Sequence, residues 1–238
     1  LALACAYMGD DDRARALFRQ QLEMADETGN RYLSVLALGN LGSALSRSWN
    51  WREAPVFLRR AVRTARELGA VQHEAIARSN LSEHCIRTGE ADEALENSEA
   101  AVRLCREKGL DYYLARYLLV HARSLLLAGR PEEALAALDE AGAVDTTENY
   151  DEIADLARAE ALMQTGKLGE AVEILRRIAE SSEMELEVEA RWLLWRITSG
   201  EDDRERALLC NRKWLEVGRY PWVTASRIEA MGGESSSP

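Results

Sequence analysis

The sequence predicts an all-α solenoid built from antiparallel helix hairpins, and three observations carry that prediction. Gly9, Gly89 and Gly129, with Trp49 standing in once, recur at 40-residue spacing, and each is followed five residues later by Ala14, Ala54, Ala94 or Ala134. A second set, Gly29, Gly69 and Gly109, keeps the same spacing. Self-similarity of this kind marks a stack of like supersecondary units instead of a single core. Within each period the apolar residues follow helical spacing, as in Val35, Leu38, Leu41, Leu45 or Leu114, Leu118, Leu125, which gives two amphipathic segments per period. Four prolines and two phenylalanines in a chain rich in Ala, Leu, Glu and Arg leave little room for strands.

Taken in order, the pattern predicts helices over about 1–8, 10–28, 30–48, 50–68, 70–88, 91–108, 110–128, 131–142, 147–165, 167–180, 183–198, 201–217 and 221–231. Gly29, Gly69 and Gly109 each follow a charged helical end, where a residue free to take positive φ closes the helix. The Gly9, Gly89 and Gly129 set makes the tight turn inside each hairpin. Seven residues before that turn the side chain stays small, at Ala2, Gly42, Ser82 and Ala122, as a closely crossing helix requires; the paired Ala14, Ala54, Ala94 and Ala134 supply the facing surface. Pro131 suits a first helical turn. Pro55 lacks an N–H and crowds the carbonyl four residues earlier, so the helix of 50–68 is expected to start late or bend. Glu183–Glu189 alternates with period two, but the repeat demands a helix there, continued by Trp192 and Trp195. The hairpins are then about 1–28, 30–68, 70–108, 110–142, 147–180 and 183–217, followed by a capping helix in 218–231 and a disordered Gly- and Ser-rich tail, 232–238.

The small residue, the glycine and the alanine five later, seen from Asn40-Leu41-Gly42 to Ala54 and in Gly129 to Ala134, resemble the tetratricopeptide repeat. The period is similar to the 40-residue variant found in spindle-orientation adaptors, kinesin light chains and sensor domains of large bacterial regulators. After Gly129 the spacing falls to 37 residues (Gly166, with Ala171) and then 34 (Gly200), close to the standard repeat. The resemblance spans residues 1 to 217 and implies a right-handed superhelix. The fold is shared by unrelated processes, so it specifies function poorly.

Charge is unevenly distributed within a net −11: residues 1–144 hold 18 basic against 21 acidic side chains, 145–205 hold 7 against 17, and 206–238 hold 5 against 3. The acidic stretch repels phosphate backbones, which argues against direct nucleic-acid binding. No apolar run approaches the length of a membrane span and no secretory signal is seen. The chain opens without methionine inside a first helix, so part of a repeat is expected upstream, and a truncated first repeat could self-associate.

Chemistry-bearing residues are sparse. Cys5 and Cys85 share the repeat position of Leu45 and Leu125 and are expected in the core; Cys85 and Cys105 are offset too far along one hairpin for a disulfide. With no C-x-x-C pair, a reducing cytoplasm is expected. Adjacent His84 and Cys85 point about 100° apart and do not converge on a metal. His121 replaces the leucine of Leu41 and Leu81, which predicts a packed imidazole with a hydrogen-bond partner. No phosphate loop or nucleophile motif appears, so no catalytic residue, metal or cofactor is assigned and the chain is read as a non-enzyme.

By the resemblance, the first helix of each hairpin lines the concave face. The positions implied to contact a peptide hold Asn40, Asn80 and Val120 in one row, Ser43, Glu83 and Arg123 in a second, and Arg47, Arg87 and Leu127 in a third, with Arg116 on the same face. Asparagine amides suit an extended backbone and arginine suits carboxylates; the alternative is an ordinary solvated polar surface. A clamp for a C-terminal carboxylate, as in chaperone-binding repeats, matches at only two of five positions (Gly39, Ser43, Asn80, Arg116, Val120). The expectation is a cytoplasmic scaffold for a protein or peptide segment, an acidic one suiting the arginines, within a multidomain bacterial signalling or transcription regulator. The competing expectation is an intramolecular sensor that restrains a neighbouring domain until a ligand or peptide shifts the population.

Overall fold

A computed structural model describes residues 1–7, 10–48, 50–144, 151–180, 184–216 and 221–232. Every described element is helical. The first compact unit, Leu1–Asp145, holds α1 (Ala2–Tyr7), α2 (Asp11–Glu27), α3 (Arg31–Arg47), α4 (Ala54–Glu67), α5 (Val71–Thr88), α6 (Ala91–Lys108), α7 (Asp111–Leu127) and α8 (Pro131–Val144). The second, Thr146–Pro238, holds α9 (Asp151–Gln164), α10 (Leu168–Ile178), α11 (Met184–Thr198), α12 (Glu201–Glu216) and α13 (Pro221–Ala230). The expected turn residues Gly9 and Trp49 and the tail 233–238 lie outside the described residues.

Local sequence accounts for the helix ends. Asp10 and Asn30 accept from the backbone N–H three residues on, at 3.2 and 3.1 Å, capping the starts of α2 and α3, and Asn50 accepts from Glu53 N–H at 3.4 Å in the turn that leads into α4. At the other end Gly89 and Gly109 adopt φ of 78° and 61°, and the next N–H reaches back five residues, Glu90 to the Cys85 carbonyl and Leu110 to that of Cys105. Pro131 opens α8. Helix α4 starts late, at Ala54, with Pro55 in its first turn where its missing N–H costs nothing. In the last hairpin the sequence reading needs correction: the left-handed residue is Ser199 (φ 51°), one position before Gly200, so the step from Gly166 is one residue shorter than the 34 counted to Gly200.

Within each unit every helix packs on the next, and in the first unit α3 also touches α5, and α5 touches α7. The helices α3, α5 and α7 therefore form one continuous layer. The second helices, α2, α4, α6 and α8, reach one another through long side chains: Arg19 donates to Glu53 at 3.2 Å, Arg59 to Glu93 at 2.6 Å, and Arg106 to Glu140 at 2.6 Å, while Arg60 lies 3.5 Å from Asp26.

The small positions are where helices cross. Ala14, Ala54, Ala94 and Ala134 are fully buried. A Cβ on Gly42 would stand 2.6 Å from Leu58 Cγ, and Ser82 Oγ donates to the Ala94 carbonyl at 2.9 Å. One core runs through Phe18, Leu38, Leu41, Leu45 and Leu58 to Leu81 and Cys85; another joins Ala101, Val102 and Cys105 to Leu114, Tyr117 and Leu118. The second unit has its own core of Leu175, Ile178, Leu186, Leu193 and Leu194.

Candidate binding face

Residues 36, 40, 43 and 47 are spaced i, i+4, i+7, i+11 and so lie on one face of α3; 76, 80, 83, 87 and 116, 120, 123, 127 repeat the spacing on α5 and α7. Contacts among these residues identify it as the face along which the first helices adjoin. Gly39 on α3 stands opposite Asn80, with 3.7 Å between its Cβ position and Asn80 Nδ2, and Arg116 on α7 lies 3.8 Å from Glu83 on α5. The array opens at the helix starts with exposed Tyr32, Leu36 and Tyr112 and continues with polar and basic side chains.

The sequence-selected residues divide into two groups there. Asn40, Asn80 and Arg123 make no hydrogen bond to another described residue and keep their donors available. Arg47 is tethered to Asp11 at 3.4 Å, Arg116 to Glu83, and Arg87 donates to Ser46 Oγ at 3.5 Å. Ser43 Oγ is buried and lacks a protein partner among the described residues. Val120, placed in the asparagine row by spacing, is buried and serves packing. Four arginines against Glu83 and Asp11 leave the face basic within an acidic chain.

Beneath it lie polar groups that sequence reasoning missed. His84 and Ser46 are both buried, with Nδ1 and Oγ 3.0 Å apart. Arg78, also buried, donates to Glu74 at 2.9 Å and to Asn97 at 3.1 Å. The available signal was a break in the 40-residue register. Arg78 stands where Leu38 and Leu118 stand, and Asn97 where Phe57 and Ala137 stand, so two apolar positions became polar together in one hairpin. A charge buried without its partner costs several kcal/mol, which explains why they change as a set. His121 fulfils its prediction: its Nδ1 lies 3.0 Å from Ser98 Oγ.

All four cysteines are buried and free. Cys85, Glu90 and Glu93 bring three potential ligand atoms within 4.8 Å of one another. The cation at this cluster is Arg59, whose Nε and Nη2 donate to Glu93 at 2.8 and 2.6 Å. That contact holds the Glu93 carboxyl below its usual range, and burial, with Glu93 and Glu90 alongside, pushes the Cys85 thiol up to about 12. Cys85 thus stays a protonated thiol beside an ion pair. Burial also holds His84 and His121 below the ordinary imidazole value. Among the described residues no helix is long and apolar enough to cross a membrane.

Comparison with family models agrees with this architecture. Residues 73–146, covering most of α5 to α8, and residues 1–32, covering α1 and α2, each match a family model described as tetratricopeptide repeat. No curated protein matches. Among solved structures the chain is similar to a tetratricopeptide repeat protein from Parabacteroides merdae, at 17% identity over 98% of this chain and 96% of that one, with a TM-score of 0.46.

Proposed function

From the premise that this chain carries tetratricopeptide repeats, a fold generally used as a scaffold for protein interactions, we propose that the face of α3, α5 and α7 binds an extended, acidic protein segment. The observation that carries the reading is the set of donors without a partner among the described residues, Asn40, Asn80 and Arg123, on a face whose fixed charge is positive. Two amides about one helix spacing apart can hold peptide groups about three residues apart in an extended segment, each through donor and acceptor together. Arg87 and Arg123 add forks for carboxylates. Tyr32, Leu36 and Tyr112 offer apolar area at the same edge, where a few anchors would supply most of the affinity. Asn40, Ser43, Arg47, Asn80, Glu83, Arg87, Arg116 and Arg123 are the residues assigned to contact. We place the chain within a multidomain bacterial regulator, acting in the cytoplasm as a non-enzymatic scaffold.

The test is selection of a random peptide library on the wild-type protein, followed by titration of the selected peptides against Asn80→Ala and Arg87→Glu. The expected result is enrichment of acidic peptides whose binding both variants lose with helical content unchanged. Retained binding in both variants would move the site elsewhere.

A further inference from the structure

We propose that Ser46 and His84 form a proton-sensitive relay that positions Arg87, so that protonating one buried imidazole alters the cation presented to a bound segment. The inference rests on the binding face proposed above and concerns its regulation. Three groups from two hairpins meet at a single hydroxyl: Arg87 Nη1 donates to Ser46 Oγ at 3.5 Å, and Ser46 Oγ lies 3.0 Å from His84 Nδ1. A guanidinium only donates, so Ser46 accepts from Arg87, and in the relay its own proton is assigned to the bond with His84. That arrangement requires a bare Nδ1 and hence a neutral ring protonated on Nε2.

Protonation reverses the inner bond. Nδ1 becomes a donor, two cationic donors converge on one oxygen, and the serine proton must turn away. His84 is buried and held in the helix layer, whereas Arg87 is exposed, so Arg87 is the group that leaves. The charged groups around the ring are Arg87 on its own helix, Arg59 from α4, and Glu90 and Glu93 beside α6. On α3 Arg47 follows Ser46 and is held by Asp11; from α7 Arg116 reaches Glu83, next to His84. Glu93 is engaged by Arg59, so the carboxylates do not offset burial, and His84 stays neutral near pH 7. The relay occurs once: the equivalent positions in the neighbouring repeats are Ala44 and Ser124, and Ser124 pairs with Ser82 at 3.0 Å.

The test is an NMR titration of the whole chain from pH 7.5 to 5, following the His84 ring and the Arg87 Nε–H together, with His121 as internal control. The Arg87 signal should move with the His84 midpoint, lose that movement in His84→Gln, and lose it in Ser46→Ala although His84 there still titrates; circular dichroism checks that both variants fold. An Arg87 signal that ignores the wild-type His84 midpoint, or moves unchanged in His84→Gln, overturns the relay. A parallel arm measures an Asp-rich 12-residue peptide, ionised throughout this range, at pH 7.5 and 5.5. The wild type should change affinity several-fold between the two and His84→Gln should not; equal wild-type affinities overturn the link to binding. If Arg87 follows His84 but the peptide binds at neither pH, the relay stands and the acidic-segment reading falls.

Discussion

Gly42 and Gly39 lie one turn apart in the same helix, and replacing each with alanine should shift stability in opposite directions. A Cβ at Gly42 would stand 2.6 and 2.8 Å from Leu58 Cγ and Cδ2 and 3.2 Å from the Leu58 backbone nitrogen. Leu58 is fully buried, so neither its side chain nor its backbone can move aside without disturbing the α3–α4 crossing. Overpacking of this kind costs about 1–3 kcal/mol. At Gly39 the nearest atom is Asn80 Nδ2 at 3.7 Å, an ordinary contact. Both substitutions gain the same helix propensity, about 1 kcal/mol. That gain cancels in the comparison, so Gly39→Ala should exceed Gly42→Ala in stability by the clash alone, about 1–3 kcal/mol. Urea denaturation followed by circular dichroism measures the difference, and adding Leu58→Ala should turn Gly42→Ala from costly to favourable in a double-mutant cycle. Equal stability of the two alanine variants would refute the close crossing at Gly42 and the register derived from it.

Ser199→Gly should stabilise the chain by about 0.5–1 kcal/mol, because a left-handed φ strains any residue with a Cβ and only part of the relief is lost to glycine's greater freedom when unfolded; a lower melting midpoint would contradict this. Stability should also fall as pH falls below about 6.5. His84 and His121 titrate below that ordinary value when folded, so in acid the unfolded chain takes up protons that the folded chain refuses. Their contribution is then complete above about pH 6.5 and lost progressively beneath it, and melting curves at pH 7.5 and 5.5 should differ by more in the wild type than in a His84→Gln/His121→Gln variant. With all four thiols buried and Cys85 pushed up to about 12, a disulfide-exchange reagent at pH 8 should label the folded chain far more slowly than the denatured one; rapid labelling would refute their burial.

Helix number, order and approximate limits were legible because the same constraint recurs every 40 residues, so each glycine and alanine is read several times over. Pro55 was legible singly, since its ring dictates local geometry. Ser199 was not, because glycine stands beside it and spacing alone favours the wrong residue. The rows of the proposed binding face follow from helical spacing. Which members are free does not: Arg47 and Asp11, or Arg116 and Glu83, lie 33 to 36 positions apart, and only the stacking of hairpins brings them together. The relay was hidden for the same reason, since Ser46 and His84 fall at different places in their respective repeats.

The ion pairs joining the second helices bear on how far these hairpins are interchangeable parts. Asp26 meets Arg60 and, at the same two places in the period two hairpins later, Arg106 meets Glu140: the polarity is reversed. Between them stand Arg66 and Ala100, a cation facing a neutral residue. Tandem duplication of 30–68 would set a copy of Arg66 against a copy of Arg60, like against like, and excision of 30–108 would set Asp26 against Glu140. Each mismatch is small for exposed groups, about 0.2–1 kcal/mol. Even so, the ends are keyed, and a library made by shuffling these hairpins should be biased toward orders in which unlike charges meet.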